Sequence, residues 1–222
     1  MLELNAVSAR IAGIPVLRGI SARFDAGGTI AVVGRNGAGK TTLLRLIMGF
    51  VPLLQGNAAF DGRDLATVPA RDRVRLGIGY APEDRVMFPT FSVEENLRFP
   101  CEVIGLSRRD VDDRLAQTLD IVPELKPMLP RSGAALSGGQ GKMAALGRAI
   151  MAGERLVLLD EPFQGLAPVL AQQYSASLQR LIAARPRSCV VITESNRSLL
   201  GDVPTRTLVL ERGELSQEAA PA

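Results

Sequence analysis

Histidine is absent from the 222-residue sequence, and so is tryptophan. Without an imidazole the chain can use neither Ser-His nor Cys-His catalysis, and it cannot bind zinc through histidine. Any general base is therefore expected to be a carboxylate. Hydrophobic residues make up 46% of the chain and charged residues 22%, which is typical of a soluble globular protein with a sizeable core.

Cysteine and aromatic residues are also scarce. Cys101 and Cys189 lie far apart and outside any Cys-x-x-Cys arrangement, so we expect small buried residues in a reducing compartment and no metal or redox site. Aromatic residues make up only 4%, and the basic residues behind the net charge of +3 are scattered. This composition disfavours a nucleic-acid partner, while an acidic membrane surface or ATP stays open.

Long hydrophobic runs are missing as well. Apolar runs such as 156–159 and 208–210 are far shorter than the roughly 20 residues that a membrane-spanning helix needs. Residues 1–5 show no basic segment followed by an apolar one, so no secretion signal is predicted. We therefore expect the chain to stay in the cytosol.

What is present is a phosphate-binding loop at residues 34–42, with the sequence Gly-Arg-Asn-Gly-Ala-Gly-Lys-Thr-Thr. Its glycines let backbone N–H groups point inward towards a polyphosphate, next to the positive end of the following helix. A glycine-rich turn that fits by chance is the alternative, but the apolar strand before the loop and the helical pattern after it favour nucleotide binding. The predicted nucleotide contacts are Gly34, Asn36, Gly37, Gly39, Lys40, Thr41 and Thr42.

The order of patterns predicts an α/β fold. Strand patterns at 2–7 and 16–24 indicate an antiparallel start, and a core strand at 29–33 leads into the loop. From about residue 86 to residue 153 the pattern is helical, with candidate helix starts at Ser92, Ser107 and Ser137. We therefore expect one domain, residues 1–222, with a helical subdomain inserted at about 86–153.

Two adjacent carboxylates, Asp160 and Glu161, end the apolar strand pattern at 156–159. Side chains alternate along a strand, but at its end the chain can turn both towards one site. Asp160 is predicted to hold Mg²⁺ through water, with Thr41 as a hydroxyl ligand, because Mg²⁺ prefers oxygen donors. Glu161 is predicted to accept a proton from the attacking water. A solvated acidic strand end is the alternative reading.

The third motif is Leu-Ser-Gly-Gly-Gln at 136–140, directly before a helical pattern. Ser137, with the N–H groups of Gly138 and Gly139, predicts a second anion site at a helix N-terminus. Taken alone, the segment is an ordinary flexible turn. Taken with the loop at 34 and the strand at 156, it is highly specific.

With these three motifs, the sequence resembles the ATP-binding subunits of ABC transporters along essentially its full length. The resemblance makes residues 34–42 the Walker A loop, 136–140 the signature and 156–161 the Walker B segment. It implies a P-loop ABC ATPase fold and two subunits that sandwich ATP and Mg²⁺, the signature of one, including Gln140, facing the loop of the other. It also implies integral-membrane permease subunits, an indirect substrate-binding protein outside the cell, and a position at the cytoplasmic face of the membrane.

A closer resemblance is to the branch that takes up branched-chain amino acids and amides. It depends on Ala-Pro-Glu-Asp-Arg at 81–85, on residues 88–89 and 92–97, and on 160–162 with 165–168. This branch often has Glu where other members have a Gln that senses Mg²⁺ and the permease, and Glu83 fits that position. Glu83 is thus a predicted catalytic and metal-site residue.

The sequence departs from the family pattern at four places. Ser195 stands where the resemblance implies a switch histidine, and its short hydroxyl has neither the reach nor the charge of an imidazole. Ile11 stands where an aromatic ring usually stacks on adenine, so the base is expected to rest on apolar contact. The segments 141–142 and 163–164 are also unusual.

These departures motivate a hypothesis that the chain works in a heteromeric pair, although a homodimer stays open. Its own site would hydrolyse ATP slowly, and its intact signature would serve the partner's ATP. A different class of function is also open, namely a soluble ABC ATPase that acts in DNA repair or translation. Such relatives typically carry long coiled-coil insertions or two ATPase domains, and this chain has neither.

Overall fold

A computed structural model of the chain describes residues 1–84 and 87–217. Arg85, which carries part of the resemblance, and residue 86, the expected start of the helical subdomain, lie outside the described residues. The chain folds as an α/β protein with one antiparallel and one mostly parallel sheet, so the predicted fold class is confirmed.

The antiparallel sheet begins at the N-terminus and has the strand order β2-β1-β4-β5. Strands β1 and β2 are longer than their sequence patterns, because they run up to a tight hairpin at Ala12 and Gly13. Both hairpin residues have positive φ, 49° and 82°, which suits the twist of a two-residue hairpin. The four strands are β1 (Leu2–Ile11), β2 (Ile14–Phe24), β4 (Gln55–Phe60) and β5 (Arg63–Asp64).

The second sheet has the strand order β10-β9-β3-β8-β7-β6 within the described ranges, and all of its neighbours are parallel except the β9–β10 hairpin. Parallel strands end at the same edge, so the residues that follow β3, β6, β7 and β8 lie side by side. The strands are β3 (Thr29–Val33), β6 (Ile78–Ala81), β7 (Leu156–Asp160), β8 (Cys189–Glu194), β9 (Arg206–Glu211) and β10 (Glu214–Gln217).

Helices cover the parallel sheet. Three lie between β6 and β7 in sequence, where the helical pattern predicts them, and two of the predicted serine caps are capping boxes, Ser92 with Glu95 and Ser137 with Gln140. The segment after Pro69 is a 3-10 helix, Ala70–Leu76. The α-helices are α1 (Lys40–Ile47), α2 (Val93–Val103), α3 (Arg108–Ile121), α4 (Gly138–Ala152) and α5 (Pro168–Ala184).

Strand β7 separates two hydrophobic cores. Leu156 and Leu158 pack towards α1 and the antiparallel sheet, whereas Val157 and Leu159 pack towards α2 to α5. Burial on both faces explains the uninterrupted apolar run that precedes Asp160. Cys101 and Cys189 are free and buried, as predicted.

The end of α1 is held by a buried arginine. The Arg73 guanidinium donates to the carbonyls of Leu46 (2.9 Å), Ile47 and Leu65 (2.8 Å), so it satisfies helix-end acceptors that would otherwise be buried without a partner. The 3-10 helix before β6 is thereby fixed to the helix that begins at the phosphate-binding loop. None of the helices in the described ranges is both long and apolar enough to cross a membrane.

Candidate nucleotide site

The phosphate-binding loop connects β3 to α1, as its flanking patterns predict. Gly37 and Gly39 have φ of 80° and 112°, which side chains disfavour, and a Cβ on Gly34 would meet the Leu210 carbonyl oxygen at 2.2 Å. Among the residues that the structure describes, no side chain caps the N-terminus of α1, and the first turn of this helix has no acidic residue. The backbone N–H groups at this end of the helix are therefore suited to an anion.

Lys40 is the first residue of α1, and its side chain is only 4% exposed. Its Nζ donates to the carbonyls of Gly34 (2.6 Å) and Arg35 (3.1 Å), so the ammonium folds back under the loop. It also forms an ion pair with Glu161, with Nζ 3.0 Å from Oε1. The cation of the loop is thus already neutralised by the carboxylate predicted to be the general base.

Asp160, at the end of β7, is buried and fully hydrogen-bonded. Its Oδ1 accepts from the hydroxyls of Thr41 (3.2 Å) and Thr193 (2.7 Å), and its Oδ2 accepts from the Tyr80 hydroxyl (3.1 Å). Burial of the phenol, together with the neighbouring Asp160 charge, raises the pKa of Tyr80. These contacts place the carboxylate of Asp160 next to the hydroxyl of Thr41, so two of the three predicted metal-site residues are in contact.

Glu161 adopts a left-handed backbone conformation, with φ 44°. For a residue other than glycine this conformation costs roughly 1–2 kcal/mol, and it reverses the alternation that would point Asp160 and Glu161 to opposite faces. The Glu161 N–H donates to the Thr193 carbonyl at 3.1 Å, and the Ser195 hydroxyl donates to Oε2 at 3.3 Å. The structure thus brings Glu161 and Ser195 together, as the prediction of a shared site requires.

Lys40, Thr41 and Glu161 line a cleft of about 410 Å³ at the edge of the parallel sheet, whereas Gly34, Asp160 and Ser195 are not among its lining residues. Glu83 lies in the cleft, and partial burial, with the charges of Glu161 and Asp160, raises the pKa of its carboxyl. Ile11 also lines the cleft and is 44% exposed, so an apolar surface is available where the base is predicted to rest. The lining residues are Ile11, Val16, Asn36, Gly37, Gly39, Lys40, Thr41, Thr42, Glu83, Glu161 and Gln164.

The segment from Ser137 to Gln140 is not part of this cleft. It caps α4, where the Ser137 hydroxyl accepts from the Gln140 N–H at 3.4 Å. The Gln140 side-chain carbonyl accepts from the Ser137 N–H and from Arg131, each at 3.1 Å. Within one chain, the structure does not bring the second predicted anion site to the first.

Sequence reasoning did not find four polar side chains that surround the carboxylates. They are Tyr80, Lys142, Thr193 and Glu194. Tyr80 lies in β6 and Thr193 near the end of β8, on either side of β7, and Thr193 is in register with Asp160. A polar residue near the end of an otherwise apolar strand is the feature of the sequence that could have marked Thr193. Its contact with Asp160 can be predicted only when the strand order is known.

Glu194, like Thr193, has no exposed surface. Its Oε1 accepts the Phe163 N–H at 2.8 Å, while its Oε2 has no hydrogen-bond partner among the described residues. Burial, with a smaller contribution from the Glu161 charge, raises the pKa of Glu194 to about 7. Glu194 ends β8, which is hydrogen-bonded directly to β7, the strand that ends just before Glu161.

The fold and this loop define a P-loop nucleotide-binding protein. A family model described as ABC transporter matches residues 17–164, about two thirds of the chain. The chain belongs to the ABC transporter family and is an ATP-binding ATPase of that family.

Individual relatives agree with this assignment. The chain is 33% identical over 218 residues to a high-affinity branched-chain amino acid transport ATP-binding protein of Pseudomonas aeruginosa, covering 97% of this chain and 91% of the relative. It is 36% identical to an Fe(3+) ions import ATP-binding protein of Pseudomonas fluorescens, covering 99% of this chain but 61% of that longer relative. A solved ATP-binding subunit of an ABC transporter has a TM-score of 0.84 at 26% identity, covering 98% of this chain and 90% of its own.

The raised pKa of Glu194 predicts a pH dependence of stability. Between its ordinary pKa of about 4.5 and about 7, the folded state binds the proton more tightly than the unfolded state, so this group lowers stability as pH rises through that window. We expect Glu194→Gln to gain stability relative to the unmodified chain by a few kcal/mol between pH 4.5 and pH 7, with little further change above it. Urea unfolding at a series of pH values measures this difference.

The control for that experiment is Glu211→Gln, at an exposed residue of β9. If the free energies of unfolding of Glu194→Gln and the unmodified chain run parallel across the whole window, the proposed titration of Glu194 is wrong.

Proposed function

We propose that the cleft binds ATP with Mg²⁺ and that Glu161 is the general base of its hydrolysis. The observation that carries the proposal is the pair of short contacts across the cleft, Thr41 to Asp160 at 3.2 Å and Lys40 to Glu161 at 3.0 Å. They unite the phosphate-binding loop with the strand that delivers the carboxylates. Because the chain has no histidine, Glu161 is the residue suited to accept the proton of the attacking water.

The oxygen donors in the cleft fit Mg²⁺. Thr41 and Glu83 line the cleft, and the carboxylate of Asp160 is hydrogen-bonded to the Thr41 hydroxyl. The described residues contain no cluster of three or more acidic, cysteine or histidine side chains that would hold a metal ion unaided. This suits Mg²⁺, which usually binds to one or two protein oxygens together with the phosphates and supplies positive charge to them.

The Lys40–Glu161 ion pair suggests how substrate prepares the base. A buried ammonium needs a negative partner, and a polyphosphate on the loop would replace the carboxylate in that role. Glu161 would then be released to face the water that attacks the phosphate. Ser195, whose hydroxyl reaches Glu161 at 3.3 Å, would hold the carboxylate near that position but would carry no charge to a phosphate.

For the cellular role, we propose that the chain powers the permease subunits of an importer from the cytoplasmic face of the membrane. A second groove, of about 720 Å³, supports a docking role. It has exposed apolar side chains at Phe50 (57%), Phe88 (38%) and Val103 (59%). The ring of Phe88 packs on Phe91 and Phe99 with centroids 5.2 and 4.8 Å away, so a local aromatic cluster and an exposed surface coexist.

The proposed cargo is a branched-chain amino acid or a related amide, delivered by a substrate-binding protein outside the cell that does not contact this chain. The motifs at 81–85 and 165–168 support it, as does the similarity to the branched-chain amino acid protein of P. aeruginosa. The chain is also similar to the Fe(3+) ions import ATP-binding protein of P. fluorescens, so relatives with different cargo share this ATPase sequence. Cargo selection would belong to the permease and the binding protein.

The proposed assembly is a pair of ATPase subunits. Ser137 and Gly138 are exposed at the start of α4 and lie outside the chain's own cleft, which suits a signature that faces a second subunit. Ser195 in place of a charged imidazole would make hydrolysis at this chain's cleft slow. We therefore favour a heteromeric pair in which the partner's cleft turns over faster.

The docking role predicts that Val103→Glu places a charge in the groove and releases the chain from the membrane fraction of its native cell, with ATP hydrolysis by the purified chain unchanged. Leu54→Glu is the matched control, because Leu54 is 52% exposed but lies outside the groove. Equal membrane recovery of both variants would contradict the docking surface. A wild-type chain that is wholly soluble and stimulated by nucleic acid would overturn the importer and favour the soluble alternative.

The heteromeric pair predicts unequal effects of two matched substitutions. Glu161→Gln in this chain should lower turnover of the purified complex less than the equivalent change in the partner, because most turnover would come from the partner's cleft. Steady-state ATP hydrolysis by the two complexes measures this. Equal losses would show that the clefts contribute equally.

A further inference from the structure

The turn that follows β7, residues 161–163, is fixed by two buried ionisable side chains that come from different elements. The turn needs such support, because Glu161 is left-handed and a non-glycine residue keeps that conformation only when its surroundings hold it. A change of this conformation would swing the Glu161 carboxylate out of the cleft. What holds the turn therefore decides where the base points.

The first support is Lys142, in α4. Its side chain is buried, and its Nζ donates to the main-chain carbonyl of Glu161 at 2.6 Å. A hydrogen bond from a cation is shorter and stronger than one between neutral groups, and a buried ammonium is costly unless such acceptors receive it. The contact thus binds the backbone of the catalytic turn to α4, two residues after the Ser137–Gln140 capping box.

The second support is Glu194, at the end of β8. Its carboxylate accepts the Phe163 N–H at 2.8 Å, so it holds the far end of the turn while Lys142 holds the near end. The Phe163 side chain is buried and packs edge-on against Tyr174, with ring centroids 5.3 Å apart. The turn is therefore held by a donor on one side, by an acceptor on the other, and by ring packing beneath.

Neither Lys142 nor Glu194 lines the nucleotide cleft. Lys142 and Glu194 each form a hydrogen bond to the main chain of the turn, whereas the side chain of Glu161 contacts Lys40 and Ser195. The geometry therefore indicates a role in placing Glu161 rather than a role in binding ATP.

We propose that Lys142 and Glu194 are positioning residues that hold residues 161–163 in the conformation that aims the Glu161 carboxylate at the phosphate-binding loop. The inference rests on the proposed function of Glu161 as general base. Helix α4, which carries Lys142, begins at the signature segment. Any displacement of α4 would be transmitted through Lys142 to the base of the same chain's cleft.

The test uses isosteric pairs in the full-length chain, with ATP hydrolysis and ATP KM measured for each variant. Lys142→Met removes the donor and keeps the length, whereas Lys142→Arg keeps a donor. We expect Lys142→Met to lower kcat on the order of 10- to 100-fold with KM within about twofold, because misplacing a catalytic group affects the chemical step. Lys142→Arg should recover most of that loss.

The second pair acts on the other end of the turn and keeps the test valid if Lys142→Met does not fold. Glu194→Gln retains an acceptor for the Phe163 N–H and should keep near-normal kcat. Glu194→Leu removes the acceptor and should lower kcat, with KM unchanged. Backbone hydrogen exchange of residues 161–166 needs no turnover. We expect faster exchange in Lys142→Met and Glu194→Leu, confined to this segment.

Unchanged kcat and unchanged exchange in both non-bonding variants would overturn the inference. So would an equal loss in Lys142→Arg and Lys142→Met together with an equal loss in Glu194→Gln and Glu194→Leu, because then the hydrogen bonds would not matter. Glu161→Gln in the same assay separates this from failure of the proposed function. If Glu161→Gln hydrolyses ATP normally, Glu161 is not the base; if it is inactive while the non-bonding variants are normal, only the positioning role fails.

Discussion

The buried ion pair between Lys40 and Glu161 is the interaction on which the candidate site depends. The two charges are 3.0 Å apart and nearly inaccessible to water, so each would carry a large desolvation cost without its partner. Only another anion could replace Glu161 as the partner of Lys40. A polyphosphate is such a group, and the loop that carries Lys40 is shaped for it. If Glu161 is the general base as proposed, the same pair would connect the binding of nucleotide to the release of that carboxylate.

The parallel sheet makes this pairing possible. Strand β3 delivers the phosphate-binding loop, β7 delivers Asp160 and Glu161, and β8, which lies between them, delivers Thr193 and Glu194. Because all three strands run in one direction, their polar ends meet at one edge, while their apolar residues fill the two cores. The turn at residues 161–163 is held by side chains from α4 and β8.

Much of this site could be predicted from local sequence, because its central parts are contiguous. The loop at 34–42, the Asp160–Glu161 pair and the caps at Ser92 and Ser137 each need only a few neighbouring residues to be recognised. Tyr80, Lys142, Thr193 and Glu194 could not be assigned, because their partners lie 19 to 80 residues away and depend on strand order and on the packing of α4. The left-handed backbone conformation of Glu161 could not be predicted either, because no glycine occupies that position.

The competition between Glu161 and the phosphates of ATP for Lys40 is measured most directly by the ATP affinity of two variants of the full-length chain, Lys40→Ala and Glu161→Gln. If Lys40 is shared between the carboxylate and the phosphates, Lys40→Ala should lose affinity on the order of a hundredfold, equivalent to a few kcal/mol. Glu161→Gln should bind ATP at least as tightly as the unmodified chain, because it frees the ammonium from its competing partner. Weaker binding in Glu161→Gln, or unchanged binding in Lys40→Ala, would contradict this account.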